Sequence, residues 1–181
     1  MNWDTVINAL LLITTIVSTF FAIYYKRKDF QKGIEQTIDI SSNITIFTSR
    51  DAMVKYLHEM YDKALDSNDV IWGQSISGRN YGDAHGKIVS AASRGVKFKM
   101  IFNENAKAIN DIAPVFLSIN SAEVLYLKDN TIRMQGLSDK EVVFAVSSKT
   151  GYNAIAIRDN DIVKAVHLWF DDRFDVNKTR A

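Results

Sequence analysis

The chain has 181 residues, with 22 lysines and arginines against 21 aspartates and glutamates, a net charge of +1, and no cysteine. The lack of cysteine excludes disulfides, thiolate nucleophiles and cysteine-bound zinc, and it suits a reducing cytosol. The near balance of charges argues against a nucleic-acid partner, because bulk affinity for nucleic acid needs clustered cations that neutralise phosphates.

The first 28 residues predict a membrane anchor. Residues 5–25 (TVINALLLITTIVSTFFAIYY) are uncharged and mostly apolar, and Lys26, Arg27 and Lys28 follow them directly. A helix of this length spans about 30 Å, the thickness of the hydrocarbon core of a bilayer. The positive-inside rule then places the N-terminus outside and the rest of the chain in the cytoplasm. We therefore predict a single-pass protein of the cell membrane.

A cleaved signal peptide and a buried core helix are the two alternatives for this segment. A signal peptide carries its positive charge before the apolar run and small residues after it, and this chain has the reverse order. A core helix would show polar periodicity, which residues 5–25 lack. Thr14, Ser18 and Ala22 recur every four residues, a spacing that suits close helix packing but is also ordinary in membrane helices.

Beyond the anchor, the sequence predicts a linker over 29–42, one domain over 43–175 and a tail over 176–181. About 150 residues are enough for one core. Ser49 is a predicted N-cap for a helix with Met53, Leu57, Met60, Ala64 and Leu65 at helical spacing, and Gly95 is placed to end the next helix. A closing helix is predicted over 160–174. Strands are predicted over 43–48, 69–76, 96–102, 123–127, 131–135, 141–147 and 153–158.

This order of elements predicts an α/β class, with a mixed β-sheet that has helices on both faces. Between the second strand and the second helix, Ser77 to Asp83 has the composition of a loop. Residues 106–120 show mixed helical signals around Pro114, the only proline. The nearly neutral domain keeps 19 cations and 20 anions once the four charged residues of the anchor are set aside.

Over residues 43–175 the sequence resembles the phospholipase D-like superfamily. Three stretches carry the resemblance: residues 44–72 (ITIFTSRDAMVKYLHEMYDKALDSNDVIW), 88–102 (IVSAASRGVKFKMIF) and 150–174 (TGYNAIAIRDNDIVKAVHLWFDDRF). The resemblance implies a phospholipase D-like half, preceded here by one N-terminal transmembrane helix. It also implies a homodimer, because members with a single motif pair to assemble one site.

The catalytic motif of that family is missing from the expected strand. Active members carry histidine, any residue, lysine, four residues and then aspartate; the histidine attacks a phosphodiester and the lysine stabilises the developing charge. Counting back from Asp139 places Ile132 at the histidine position and Met134 at the lysine position. Neither side chain can perform this chemistry, so the resemblance predicts a catalytically inactive domain.

His85 and Lys87 are the alternative catalytic pair, since they have the right short spacing. Ala92 stands where the aspartate would follow, and the tripeptide opens a predicted helix instead of lying on a strand. His58 falls inside an amphipathic helix, and His167 is expected near the C-terminal end of the last helix, where a cation is favourable. Three histidines so widely separated predict no metal site, and no cofactor is expected.

Two functions remain open at this stage. The first is a membrane-anchored, inactive phospholipase D-like domain that serves as a cytoplasmic binding, regulatory or assembly module. Sugar-responsive archaeal transcription regulators of this fold bind effectors, so the resemblance permits a small polar or anionic ligand. The second is a membrane-tethered phosphodiesterase, a nuclease or phospholipase, whose site is completed by homodimerisation through His85 and Lys87. For the first function, the predicted binding residues are Arg79, Tyr81, Arg133, Gln135 and Asp139.

Overall fold

The computed structural model describes residues 37–74, 84–105, 112–128, 132–148 and 151–179. These residues form one sheet and four helices. In chain order the elements are β1 (Thr37–Ser41), β2 (Ile44–Phe47), α1 (Arg50–Lys63), β3 (Val70–Gln74), α2 (Ala84–Ser93), β4 (Lys97–Asn103), α3 (Ala113–Leu117), β5 (Ala122–Leu127), β6 (Arg133–Leu137), β7 (Glu141–Ser148), β8 (Gly151–Ile157) and α4 (Asn160–Lys178).

The eight strands pair in the order β1-β2-β8-β7-β6-β3-β4-β5. Strands β3, β4 and β5 are parallel to one another, and the other neighbours are antiparallel. The sheet is therefore mixed, and the predicted α/β class is confirmed. In this order the carboxyl ends of β3, β4 and β5 share one edge with the amino end of β6.

Three helices cover one face of the sheet, which we call the three-helix face. Helix α1 begins at Ser49, whose hydroxyl accepts a hydrogen bond from the Ala52 amide, and it buries Met53, Leu57 and Met60 at helical spacing. These side chains join one core with residues of α2, α3 and the strands. Gly95 has a φ of +88°, so the turn after α2 uses the left-handed region that glycine tolerates.

The fourth helix packs on the opposite face, which we call the α4 face. The Asp159 carboxylate accepts hydrogen bonds from the Asp161 and Ile162 amides and begins the helix. The buried residues of α4 follow helical spacing: Val163, Val166, Phe170 and Phe174. Phe170 lies 5.1 Å from the indole of Trp72 on β3, measured between ring centroids.

Four details differ from the sequence expectations. Strand β1 lies inside the stretch predicted as a linker, because Thr37–Ser41 pairs with β2. Helix α4 continues to Lys178, into the predicted tail, so His167 is in mid-helix. Helix α1 ends at Lys63, and Leu65, predicted to face the core, is 67% exposed. Strand β6 starts two residues later than predicted and continues to Leu137.

The predicted anchor, residues 1–28, lies outside the described residues. None of the four described helices has the length and apolar character needed to cross a bilayer.

Candidate functional site

The strand that carries the family motif is β6, and aliphatic side chains occupy both motif positions. Met134 is 3% exposed and lies opposite Gln74 on β3 and Phe144 on β7. Ile132, just before the strand, is 43% exposed. This strand therefore supplies neither a nucleophile nor a cation for attack on a phosphodiester.

Arg133 and Gln135 point away from those two positions, because successive side chains of a strand alternate between faces. Gln135 lies opposite Val143, a member of the core on the three-helix face, and is only 2% exposed. Its neighbour there is the fully buried Tyr61. Burial raises the pKa of the Tyr61 hydroxyl, and the nearby Gln135 side chain opposes part of that rise. Gln135 is thus a core residue and does not line an open cleft.

Asp139 lies at the other end of β6. The strand between it and Arg133, Arg133–Leu137, spans about 13 Å at 3.3 Å per residue, and Asp139 follows in the turn beyond its far end. Its Oδ1 is 2.6 Å from Nδ1 of His167, and the imidazole stacks on Trp72 with ring centroids 4.9 Å apart. The structure therefore does not bring Asp139 together with Arg133 in one cleft.

The contacts around His167 attach α4 to the sheet. Lys99 on β4 donates to Asp171 of α4 at 2.8 Å, and Nε2 of His167 is 3.7 Å from the same carboxylate. The His167 side chain is 15% exposed. His167 is therefore a packing residue, held between the carboxylates of Asp139 and Asp171.

A buried carboxylate, Asp69, ties the loop after α1 to the turn after β6. It accepts hydrogen bonds from Lys140 Nζ at 2.5 Å, the Leu65 amide at 2.8 Å and the Ser138 hydroxyl at 3.2 Å. Burial would raise the pKa of Asp69, but these hydrogen bonds outweigh burial and leave the pKa below its ordinary value. Ser138 has a φ of +47°, which directs the turn.

Glu141 is the second buried carboxylate among the described residues, on the three-helix face. Tyr56 donates to it at 2.5 Å and Lys63 at 3.1 Å, while Arg158 donates to the Tyr56 hydroxyl at 2.9 Å. Burial, followed by the hydrogen bond to Glu141, raises the pKa of Tyr56. The network links α1, β7 and the end of β8, and its polar groups are hydrogen-bonded to one another.

Helix α2 directs the side chains of the alternative pair, His85 and Lys87, to opposite sides. Both lie in the first turn of α2, where two residues differ by about 200° around the axis and so face opposite sides. Lys87 forms an ion pair with Asp62 of α1 at 2.6 Å, and His85 is exposed. Helix α2 therefore does not present the two side chains to one substrate.

Two of the predicted binding residues, Arg79 and Tyr81, lie outside the described residues. Within the described ranges, histidines and carboxylates form no group of three or more suited to a metal ion.

One polar side chain that the sequence alone did not single out lies at the edge where β3 and β4 end. Gln74 is the last residue of β3 and is 1% exposed. The sequence did contain a signal for Gln74, because a glutamine ends the apolar strand Val70–Gln74 (VIWGQ). Every residue of this strand after the first is buried.

No family model and no curated protein matches this chain. Among solved structures, it is similar to TrmBL2, an archaeal chromatin protein with a novel mode of DNA binding, with a TM-score of 0.59 and 16% identity. The match covers 93% of this chain, which spans only 62% of that protein. At this identity the likeness concerns the fold alone.

Two further structures are similar at lower scores. Phosphatidylserine synthase from Haemophilus influenzae Rd KW20 has a TM-score of 0.47 and 9% identity, covering 81% of this chain and 43% of that one. Polyphosphate kinase from Porphyromonas gingivalis has a TM-score of 0.46 and 12% identity, covering 78% and 24%. Both belong to the phospholipase D superfamily, but likenesses this weak carry no argument about this chain. What the comparisons establish is a mixed α/β fold that this chain shares with part of TrmBL2.

Proposed function

We propose that this chain is a membrane-anchored binding module on a phospholipase D-like fold, without phosphodiesterase activity. The observation that carries the proposal is the occupation of the two motif positions by Ile132 and Met134, the second of them buried in the sheet. Phosphodiester cleavage in that family needs a histidine nucleophile beside a lysine, and aliphatic side chains provide neither.

The ligand of this module is a small polar or anionic molecule, bound at the edge where β3 and β4 end. Arg133 begins β6 at that edge, and the loop with Arg79 and Tyr81 follows β3 in the sequence. Asp139 and Gln135 are no longer part of the proposal, because one lies at the opposite end of β6 and the other is a core residue. DNA binding by TrmBL2 is not transferred, since the present chain is nearly neutral and spans only part of that protein.

The membrane anchor over residues 5–25 and pairing into a homodimer complete the proposal. The anchor rests on the apolar run and its basic flank. Pairing rests on the family resemblance, and on residues 14, 18 and 22 as a small-residue stripe. Crosslinking in native membranes should trap a dimer, whereas a monomer at every expression level would contradict the pairing.

The central test is turnover of phosphodiesters by the full chain in lipid nanodiscs. Wild type, His85→Ala and the matched surface variant Val89→Ala, one turn further along α2, are assayed on bis(p-nitrophenyl) phosphate, phosphatidylcholine and single-stranded DNA. We expect no turnover above the protein-free blank from any of the three. Turnover that His85→Ala abolishes and Val89→Ala preserves would replace this proposal with the phosphodiesterase.

A further inference from the structure

The α4 face contains a row of side chains that crosses seven strands at one level. The residues lie directly opposite one another in successive pairs of strands. In spatial order they are Ile46, Ile155, Phe144, Met134, Gln74, Ile101 and Leu125. Gln74 is the single polar member, in the middle of an otherwise apolar row.

The amide of Gln74 is buried without compensation. The residue is 1% exposed, and among the described residues neither Nε2 nor Oε1 has a hydrogen-bond partner. Its two neighbours in the row, Met134 and Ile101, are 3% and 0% exposed and offer no donor or oxygen acceptor from their side chains. An amide of this kind loses its hydrogen bonds to water on folding and gains none in return, which destabilises the folded chain.

A buried amide without a hydrogen-bond partner indicates a functional role, because nearly all buried polar side chains in folded proteins are hydrogen-bonded. A small-molecule site is typically an apolar surface with a few polar groups that fix the orientation of the ligand. The row is likewise apolar with one polar group. On β3 it lies two residues nearer the carboxyl end than Trp72, the residue on which α4 packs.

We propose that Gln74 is a ligand-binding residue, whose amide pairs with a neutral, planar ligand that presents a donor beside an acceptor. A carboxamide offers one donor and one acceptor side by side, so the complementary edge is that of a nucleobase or a primary amide. The ligand is neutral because the strand charges on this face, Lys99 and Glu123, are already paired with Asp171 and Lys178 of α4.

This inference rests on the proposed binding function and names the ligand chemistry of that module. The two fail in different experiments. Phosphodiester turnover would overturn the binding function, whereas the measurements below address Gln74 alone.

The first measurement is the melting temperature of the ligand-free full chain in detergent. Gln74→Met removes an amide that has no partner and keeps the volume, so the melting temperature should rise by about 2–4 °C. The matched control is Gln135→Met on the other face, where the amide faces Tyr61, and here the melting temperature should fall. A lower melting temperature for Gln74→Met would show that the amide is already bonded in the free protein and would overturn the proposal.

The second measurement adds ligands at up to millimolar concentration. Adenine and uracil represent the nucleobase edge, and nicotinamide represents the primary amide. At least one should raise the melting temperature of wild type and of a Leu65→Ala surface control, and leave Gln74→Met unchanged. N6,N6,9-Trimethyladenine has no N–H donor and should have no effect. If no probe stabilises wild type, or if Gln74→Met responds equally, the assignment of this ligand class is wrong.

Discussion

At the scale of single residues, Gly136 has no room for a side chain. A Cβ atom added there would lie 2.2 Å from Cζ2 of Trp72, and Trp72 is fixed by its stack on His167 and by a 3.0 Å hydrogen bond from Nε1 to the Ser138 carbonyl. Gly136→Ala should therefore lower the free energy of unfolding by about 1–3 kcal/mol through overpacking. Urea denaturation followed by tryptophan fluorescence measures this as a lower midpoint.

The matched control for Gly136 is Gly86 in α2. A Cβ there meets nothing within 4 Å. Alanine favours a helix over glycine by about 1 kcal/mol, so Gly86→Ala should leave the urea midpoint equal or higher. A midpoint for Gly136→Ala as high as that of wild type would mean that the indole moves at little cost.

The carboxylate of Asp69 makes the stability of the folded chain depend on pH. Its pKa in the folded chain is below the ordinary value of 3.8, because the hydrogen bonds from Lys140 and the Leu65 amide outweigh burial. The unfolded chain therefore binds the proton more tightly, so the stabilisation is complete above about pH 4 and is lost as the pH falls through the lower folded value.

Asp69→Asn tests this dependence. The variant should be less stable than wild type at pH 7, and the difference should shrink as the pH falls below 3.8, the ordinary value. Chemical denaturation at a series of pH values from 7 down to 2.5 measures it. A difference that stays constant over this range would exclude the carboxylate as the source of the stabilisation.

The sequence predicted the role of a residue where a local pattern carried the information. It did not do so where a neighbour on another strand determines whether the residue is buried or hydrogen-bonded. Ile132 and Met134 follow from counting back along one strand from Asp139. Gln135 appeared to be an outward polar residue, yet Tyr61 and the core around Val143 enclose it. The isolation of Gln74 is visible only once its neighbours on β6 and β4 are known.

At the scale of elements, the C-terminus of α1 depends on an arginine from the end of α2. Arg94 donates from Nη2 to the Tyr61 carbonyl at 2.6 Å and from Nε to the Ala64 carbonyl at 3.0 Å. Carbonyls in the last turn of a helix lack partners within the helix, and a cation there also complements the helix dipole.

Replacing Arg94 should therefore destabilise the packing of the two helices. Arg94→Met keeps much of the apolar stem but removes both bonds, and should cost about 1.5–3 kcal/mol. Arg94→Lys should fall between Arg94→Met and wild type, because an ammonium lacks the planar fork. Thermal denaturation ranks the variants, with the exposed Lys97→Met as a control expected within about 0.5 kcal/mol of wild type. Equal stability of Arg94→Lys and wild type would indicate that charge alone is enough.

Most elements were predictable because their signals are local. Helix α1 has its N-cap at Ser49, and the strands β2, β5 and β7 begin within a residue or two of their predicted starts. The errors have tertiary causes. Thr37–Ser41 is a strand because β2 offers it an edge, and α1 stops before Leu65 because Asp69 and Arg94 bind the backbone at that point.

At the scale of the whole molecule, the fold class was predictable and the assembly of the site was not. The alternation of strands and helices was enough for a mixed sheet with helices on both faces. The site was predicted from residue types at motif spacing, and that spacing does not bring the side chains together. Arg133 and Asp139 lie at opposite ends of β6, and α2 turns His85 and Lys87 to opposite sides.

The orientation across the membrane can be tested because the chain has no cysteine of its own. Single cysteines introduced as Asn2→Cys and Lys55→Cys then report separately on the N-terminus and on the exposed surface of α1. With the N-terminus outside, a membrane-impermeant maleimide should label Asn2→Cys in intact cells and Lys55→Cys only after lysis. This expectation follows from Lys26, Arg27 and Lys28 directly after the apolar run, because cations flanking a membrane helix favour the cytoplasmic side. Labelling of Lys55→Cys in intact cells would reverse the orientation, and recovery of both variants in the soluble fraction would rule out the anchor.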